Sequence, residues 1–108
     1  MSLLDNKKAG LEYDLGEKYE AGIELEGFEV KSLRQNHGSL LGTYVLLQGG
    51  EAWLLNAFIP PFQEKNAPVG YDPKRSRKLL LSKKELRQLA QEVKEKGLTL
   101  VPLSLYNK

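Results

Sequence analysis

The sequence predicts a mainly β domain in which a strongly coiled antiparallel sheet or small barrel carries flanking helices. Apolar and polar side chains alternate along residues 13–25, a period of two that indicates half-buried strands. Glycines interrupt this run and indicate bends or bulges, which favour a coiled sheet over a flat one. Two further apolar runs, at residues 43–48 and 51–59, are separated by Gly49-Gly50. Because glycine tolerates the positive φ of a tight turn, they predict a hairpin.

The length and composition indicate one ordinary globular domain. The chain has 108 residues, of which 41% are hydrophobic and 28% charged. Residues 1–12 are expected to form a flexible N-terminal segment, and residues 13–108 the folded domain. The sequence has no cysteine, which excludes disulfides and thiolate metal sites. It also has no apolar run of about 18 residues and no stretch typical of a signal peptide, so we expect a cytoplasmic protein.

Two helices are predicted, at about residues 28–35 and 83–96. In the second, Ser82 and Glu85 have the spacing of a capping box, and Gly97 supplies the stop. Residues 98–106, apolar on both faces, are expected to form a buried strand after this helix. In the first helix, three charged side chains are expected to point outward: Glu29, Lys31 and Arg34.

The charges are divided unevenly along the chain. Residues 1–71 contain six Lys/Arg against ten Asp/Glu, whereas residues 72–108 contain ten against four. The positive half opens with a run of four cations, which continues onto the second helix: Lys74, Arg75, Arg77, Lys78, then Lys83 and Lys84. Arginine forks beside lysine point charges suit phosphate, so the run predicts an anion-binding surface. A merely solvated charge run is the alternative.

In an extended chain the run would divide between two faces. Arg75 and Arg77 would share one of them, because successive side chains of a strand point to opposite sides. Pro73 prevents a helix from continuing into the run, since its ring fixes φ and removes a backbone donor.

Four segments, in the same order along the chain, resemble the small protein B (SmpB) family of bacterial tmRNA-binding proteins. They are residues 19–25, 29–34, 72–81 and 94–103, read from the sequence as YEAGIEL, EVKSLR, DPKRSRKLLL and KEKGLTLVPL. The resemblance implies an OB-fold-like antiparallel β-barrel with flanking helices. It also implies a protein that binds the tRNA-like domain of tmRNA and supports trans-translation, the rescue of stalled ribosomes.

Family contacts carry over where the residues match. Asn6 corresponds to the asparagine that opens the family's N-terminal motif, Glu20 to the glutamate before Ala-Gly, and Leu80 to the middle of the leucine run. A carboxylate can serve at an RNA interface by accepting hydrogen bonds from base or ribose donors. The full set of candidate RNA-binding residues is Asn6, Lys7, Lys8, Glu20, Lys31, Arg34, Lys74, Arg75, Arg77, Lys78, Leu80, Lys83 and Lys84.

Two departures from the family pattern modify these expectations. Gly10-Leu11 stand where the family usually has Arg-His, which removes one cation and one stacking ring from the N-terminal contact. Family members also continue beyond the position of Lys108 with another barrel strand and a basic tail that enters the ribosome. The resemblance therefore implies a barrel incomplete at its C-terminal strand, without the decoding tail, and an open edge prone to association.

The sequence favours a binding protein over an enzyme. No nucleophile is paired with a base, no metal-ligand spacing occurs, and no cofactor or small-molecule substrate is implied. His37, the single histidine, is expected to be a turn residue. The expected partners are tmRNA and the ribosome. The alternative is a barrel-type protein-interaction module whose basic face binds an acidic protein.

Overall fold

The protein, represented by a computed structural model, is described over residues 2–6, 19–63, 65, 67–102 and 104–106. These residues form strands and two helices in the order β1 (Ser2–Asp5), β2 (Gly22–Ile23), α1 (Gly27–Arg34), β3 (Tyr44–Gln48), β4 (Glu51–Leu55), β5 (Arg77–Leu80), α2 (Lys83–Lys96) and β6 (Ser104–Tyr106). The strands make two antiparallel sheets, one in the order β2-β5-β4-β3 and one that pairs β1 with β6. The described part of the chain is therefore mainly β with two helices, as the sequence predicts.

The β3–β4 hairpin has the predicted glycine turn. The two strands pair without a break from Tyr44 opposite Leu55 to the turn. Gly49 and Gly50 both have positive φ, 62° and 75°, as a two-residue turn compatible with strand twist requires. The second strand is shorter than predicted, however. It ends at Leu55, because Asn56 enters the left-handed region at φ 68° and breaks the extended conformation.

Side chains from both sheets pack against the same buried cluster. Along β4 alternate residues are buried, Ala52 and Leu54 among them, as the two-residue period of a half-buried strand dictates. Leu54 packs with buried Leu40 and Ala57. Partly buried side chains from both sheets surround this group: Leu4, Ile23, Val45, Leu79 and Leu105. Because β5 contributes Leu79 to the core, Arg77, two residues earlier on the same strand, also points inward.

The helix α1 buries a stripe and ends in a hydrogen-bonded turn. Glu29, Ser32 and Leu33 are buried at helical spacing, so the prediction that Glu29 points outward is wrong. At the end of α1, Asn36 adopts φ 59°, and its N–H donates to the Leu33 carbonyl oxygen at 2.9 Å. The next N–H, that of His37, donates to the Ser32 carbonyl oxygen at 3.1 Å, which completes a Schellman motif. His37 thus lies in a turn, as predicted.

The helix α2 begins at the predicted capping box. Ser82 Oγ accepts from the Glu85 N–H at 3.1 Å, and Glu85 Oε1 accepts from the Ser82 N–H at 3.0 Å. These hydrogen bonds favour the ionised carboxylate and hold the pKa of Glu85 below its usual value. Gly97, with φ 60°, ends the helix. Neither α1 nor α2 is long and apolar enough to span a membrane.

The two ends of the described chain differ from prediction. Ser2–Asp5, expected within a flexible segment, form β1 and pair with β6. Of the strand predicted at 98–106, position 103 lies outside the described residues; among the others Ser104–Tyr106 form a strand and 98–102 do not, although the Val45 N–H donates to the Leu100 carbonyl oxygen at 3.0 Å. The paired residues of β1 and β6 lie about 100 positions apart in the sequence, so no local sequence pattern could indicate that they pair. Of the strand predicted over residues 13–25, positions 13–18 lie outside the described residues, and β2 is its described remnant.

Replacing Ser82 with Ala should lower the free energy of unfolding by about 0.5–2 kcal/mol, because the Glu85 N–H loses its acceptor. Urea unfolding measures this difference. Ser76→Ala is the matched control: Ser76 is exposed on a loop, and its replacement should change stability by less than about 0.5 kcal/mol. Equal stability of the Ser82 variant and the parent would contradict the role of the cap.

Candidate nucleic-acid interface

The basic run begins in a turn and continues into β5. The Asp72 carboxylate accepts from the Lys74 N–H at 2.9 Å, and the Asp72 carbonyl oxygen accepts from the Arg75 N–H at 3.0 Å. Such Asx turns form readily where a proline prevents a helix. The Pro73 carbonyl oxygen accepts from the Ile59 N–H at 3.0 Å, which attaches the turn to the neighbouring loop. Lys74 is therefore exposed on a turn that is anchored at both sides.

Arg75 and Arg77 lie on one side, as predicted, but both are directed at α1: Arg77 is buried and Arg75 is partly exposed. Their common partner is the buried carboxylate of Glu29 on α1. Arg77 donates to Glu29 Oε2 from Nε at 2.9 Å and from Nη2 at 2.7 Å. Arg75 donates from Nη2 to Oε1 at 2.5 Å and from Nε to Oε2 at 3.2 Å. One carboxylate thus holds two guanidinium groups, and we call Glu29, Tyr71, Arg75 and Arg77 the Glu29 cluster.

Arg77 is wholly buried, and its donors are used inside the protein. Arg77 makes further hydrogen bonds besides those to Glu29. Its Nη1 donates to the Ala57 carbonyl oxygen at 2.7 Å and to the Arg75 carbonyl oxygen at 3.1 Å. Nη2 donates to the Pro73 carbonyl oxygen at 3.0 Å. A guanidinium has five N–H donors, and here each end of the group faces an acceptor. Arg77 therefore joins α1 to two irregular backbone segments.

Tyr71 completes the cluster. Its hydroxyl lies 2.7 Å from Glu29 Oε2 and 2.7 Å from the Ile59 carbonyl oxygen, and it accepts from Arg77 Nη2 at 3.0 Å. Burial, together with the hydrogen bond to Glu29 and its negative charge, raises the pKa of Tyr71 to about 12. The ring packs edge-on against Phe28 with centroids 4.8 Å apart. Tyr71 is consequently a neutral hydroxyl donor over the physiological range.

The Glu29 carboxylate is strongly acidic despite its position. Burial alone would raise its pKa, because desolvation disfavours the charged form. Hydrogen bonds from Arg75, the Glu26 N–H, Tyr71 and Arg77 outweigh burial and lower the pKa to about 2. The same carboxylate raises the pKa of Arg75. The Glu29 carboxylate and the Arg75 guanidinium are therefore both charged at neutral pH.

The predicted surface role of Arg77 is therefore corrected. A period of two establishes which side chains share a face, but it does not establish which face meets water. The interior accepts Arg77 because Glu29, 48 positions earlier, supplies a buried counter-charge. The signal that could have indicated this was Glu29 itself, which shares a helical stripe with Leu33.

The other candidate residues differ in exposure. Arg75 is partly exposed, with 32% of its side-chain surface accessible. Lys78 is also partly exposed, and its Nζ lies 3.6 Å from Glu51 Oε2. Asn6 Nδ2 donates to the Pro102 carbonyl oxygen at 3.0 Å, and Lys7 and Lys8 lie outside the described residues. The remaining candidates are exposed: Glu20, Lys31, Arg34, Lys74, Leu80, Lys83 and Lys84.

The pairing of β2 with β5 brings the segment that carries Glu20 toward the end of β5. Gly22 of β2 pairs with Leu80 of β5, and a Cβ at Gly22 would lie 3.2 Å from Leu80 Cβ. The antiparallel direction carries Glu20 toward the start of α2, where Lys83 and Lys84 lie. The hydroxyl of Tyr19 donates to Glu92 Oε2 of α2 at 2.6 Å and attaches this segment to the helix. We call Glu20, Lys78, Leu80, Lys83 and Lys84 the β5–α2 surface.

A second exposed group lies on α1. Lys31 and Arg34 are three positions apart on the helix side opposite the buried stripe. Glu29 connects this helix to Arg75 and Arg77, so the cluster fixes α1 relative to the basic run. The candidates thus occur in two groups, one on α1 and one on the β5–α2 surface, with the Asp72–Arg75 turn attached to α1 through Glu29.

Replacing Glu29 with Gln should lower the free energy of unfolding at pH 7 by about 3–5 kcal/mol, because Arg77 is left buried without a counter-charge. The pKa also predicts a pH dependence. A carboxyl whose pKa is about 2 when folded and 4.5 when unfolded stabilises the protein fully above pH 4.5. That contribution, about 3 kcal/mol, is lost as the pH falls toward 2. Urea unfolding from pH 2 to 7 should show this step in the parent, and an identical step in Glu29→Gln would contradict the assignment.

Arg77→Gln should destabilise the protein more than Arg75→Gln does. Removing Arg77 leaves buried backbone carbonyls without donors and should cost about 3–5 kcal/mol. Removing partly exposed Arg75 leaves Glu29 paired with Arg77 and should cost about 1–2 kcal/mol. The two variants remove the same charge and are each other's control in urea unfolding. Equal losses would show that the cluster does not depend on the buried arginine.

Comparison with known proteins agrees with the resemblance found in the sequence. The family described as SmpB protein matches residues 3–108. The SsrA-binding protein of Sulfurihydrogenibium sp. (strain YO3AOP1) is 54% identical over 103 residues, which cover 95% of this chain and 67% of the relative. That of Gloeothece citriformis (strain PCC 7424) is 48% identical over 106 residues, covering 98% and 68%.

A solved structure is also similar. It is described as "tmRNA-SmpB: a journey to the center of the bacterial ribosome", and one of its chains superimposes with a TM-score of 0.76 at 47% identity. The similarity covers 97% of this chain and 73% of that one. With the family match spanning nearly every residue, these findings lead to one conclusion: the chain belongs to the SmpB protein family.

Proposed function

We propose that this chain binds the tRNA-like domain of tmRNA and supports trans-translation, the rescue of stalled ribosomes, without catalysis. The observation that carries the proposal is the β5–α2 surface. Its support is that Glu20 and Leu80, which the sequence matches to family contacts, are exposed near the pairing of β2 with β5, and that the exposed Lys83 and Lys84 begin α2 shortly after Leu80. A solved relative is described with tmRNA and the bacterial ribosome, and other relatives are named SsrA-binding proteins.

The charges of α2 support a ligand at its first turn. Lys83 and Lys84 lie where the positive end of the helix dipole disfavours cations by a few tenths of a kcal/mol. Local stability therefore does not account for their position, and this supports an anionic partner there. The ammonium groups would contact phosphates, while Leu80 and Glu20 would contact ribose and base groups.

We further propose that the two sheets are parts of an OB-fold-like barrel, one domain with its site of action in the cytoplasm. The support is the shared core: Leu4 of β1 and Leu105 of β6 pack against the same buried residues as Leu79 of the larger sheet. A barrel of this kind would present its helices and the basic run on a rigid scaffold.

Direct binding tests the proposal. Gel retention should show that the chain binds a transcript of the tRNA-like domain of tmRNA more tightly than an RNA hairpin of equal length. The same assay should include, as a third ligand, an acidic protein whose net charge matches that of the RNA. Equal affinity for the two RNAs would contradict tmRNA recognition, and tighter capture of the acidic protein would favour a protein-interaction module.

Replacing Lys83 and Lys84 together with Gln should weaken RNA binding and make the slope of log affinity against log salt shallower by about 2, or about 1 per lost phosphate contact. The matched control is Lys94→Gln with Lys96→Gln, which removes two charges from the last turn of the same helix. Binding measured by fluorescence anisotropy over a salt series separates the two. Identical slopes in both double variants would remove the start of α2 from the interface.

A further inference from the structure

The guanidinium of Arg75 is divided between a fixed edge and an exposed end. Nε and Nη2 donate to the two oxygens of Glu29. Nη1 makes one contact among the described residues, a 3.5 Å approach to the Ser76 carbonyl oxygen at the limit of hydrogen-bond distance. The side chain is 32% exposed. Arg75 therefore presents donors to solvent from a group whose orientation is already set by the protein.

Glu29 does not need Arg75 for neutralisation. Arg77 already supplies one positive charge at 2.7 Å, from a position with no solvent exposure, and directs both Nε and Nη2 at the carboxylate. The Glu26 N–H donates to the other oxygen at 2.8 Å. The second guanidinium leaves the three charges with a net charge of +1, and the excess charge lies at Arg75, the exposed member. Arg75 also stabilises Glu29 through two hydrogen bonds, but its exposed end leaves this positive charge accessible to an anion.

We propose that Glu29 is a positioning residue for RNA binding, which fixes Arg75 so that its Nη1 end contacts an RNA phosphate. The inference rests on the proposed function and extends it to a buried residue. An arginine held by a carboxylate loses less side-chain entropy when it binds a phosphate, because its orientation is fixed beforehand. Lys74, exposed on the adjoining turn, supplies a second cation near the same phosphate chain.

The first test separates the shape of Arg75 from its charge. Arg75→Lys keeps the charge but has no planar fork that could bond to Glu29 and to a phosphate together. Against a transcript of the tRNA-like domain of tmRNA, Arg75→Gln should bind roughly tenfold more weakly, with a salt slope shallower by about 1. Arg75→Lys should lose nearly as much affinity while keeping the salt slope of the parent. Lys96→Gln, a single charge removed from the end of α2, is the control and should bind like the parent.

The second test is a double-mutant cycle. If Glu29 acts through Arg75, Glu29→Gln should weaken RNA binding about as much as Arg75→Gln, and the double variant should be no weaker than Arg75→Gln alone. Additive losses would overturn the positioning role. Circular dichroism and urea unfolding confirm that each variant is folded at the temperature of the assay. Should Glu29→Gln not fold, the Arg75→Lys comparison decides alone, and parent-like binding by Arg75→Lys would overturn the proposal.

These outcomes are separable from failure of the proposed function. If the parent chain binds the tRNA-like domain no better than a hairpin of equal length, the proposed function fails. If the parent shows the preference but Arg75→Gln and Arg75→Lys bind as tightly, then only the positioning role of Glu29 fails.

Discussion

The buried carboxylate of Glu29 is the constraint on which the arrangement of the basic run depends. It lies on α1, yet its partners come from the segment that begins at Tyr71 and ends in β5. A carboxylate without solvent must be matched in charge and in hydrogen bonds, and this requirement selects one relative placement of the helix and the strand. The exposed cations of α1 and of the basic run are held in that arrangement, because they belong to the same short elements.

The cluster also solves a problem of backbone chemistry. The loops before β5 are irregular, and their carbonyl oxygens are not paired in a strand ladder, although that of Pro73 accepts from the Ile59 N–H. Arg77 supplies donors to the carbonyl oxygens of Ala57, Pro73 and Arg75, and Tyr71 lies within hydrogen-bond distance of that of Ile59. A hydrophobic replacement could fill the volume of the ion pair but could not satisfy these acceptors. The cluster therefore contributes by fixing one conformation of these loops.

Local patterns in the sequence predicted local structure and failed where partners are distant. The capping box at Ser82 and the Gly49-Gly50 turn are confirmed because each depends on residues within a few positions. The family resemblance is confirmed because it rests on segments spread along the whole chain. The interior position of Arg77 was missed because its counter-charge lies on another element, and β1 was missed because its partner strand is at the opposite end of the chain. The candidate residues on the β5–α2 surface are exposed or partly exposed, as a binding role requires. Their contact with RNA remains a prediction.

The pairing of Ser2–Asp5 with Ser104–Tyr106 also has a consequence for folding during synthesis. The larger sheet and every member of the Glu29 cluster lie before residue 81, so they can assemble while the rest of the chain is still being made. The strands of the smaller sheet lie about 100 positions apart, the largest separation of any pairing described. This sheet must therefore form last, after residue 106 has left the ribosome. Until then Leu4 lacks Leu105 as a neighbour, and one side of the shared core stays open to solvent.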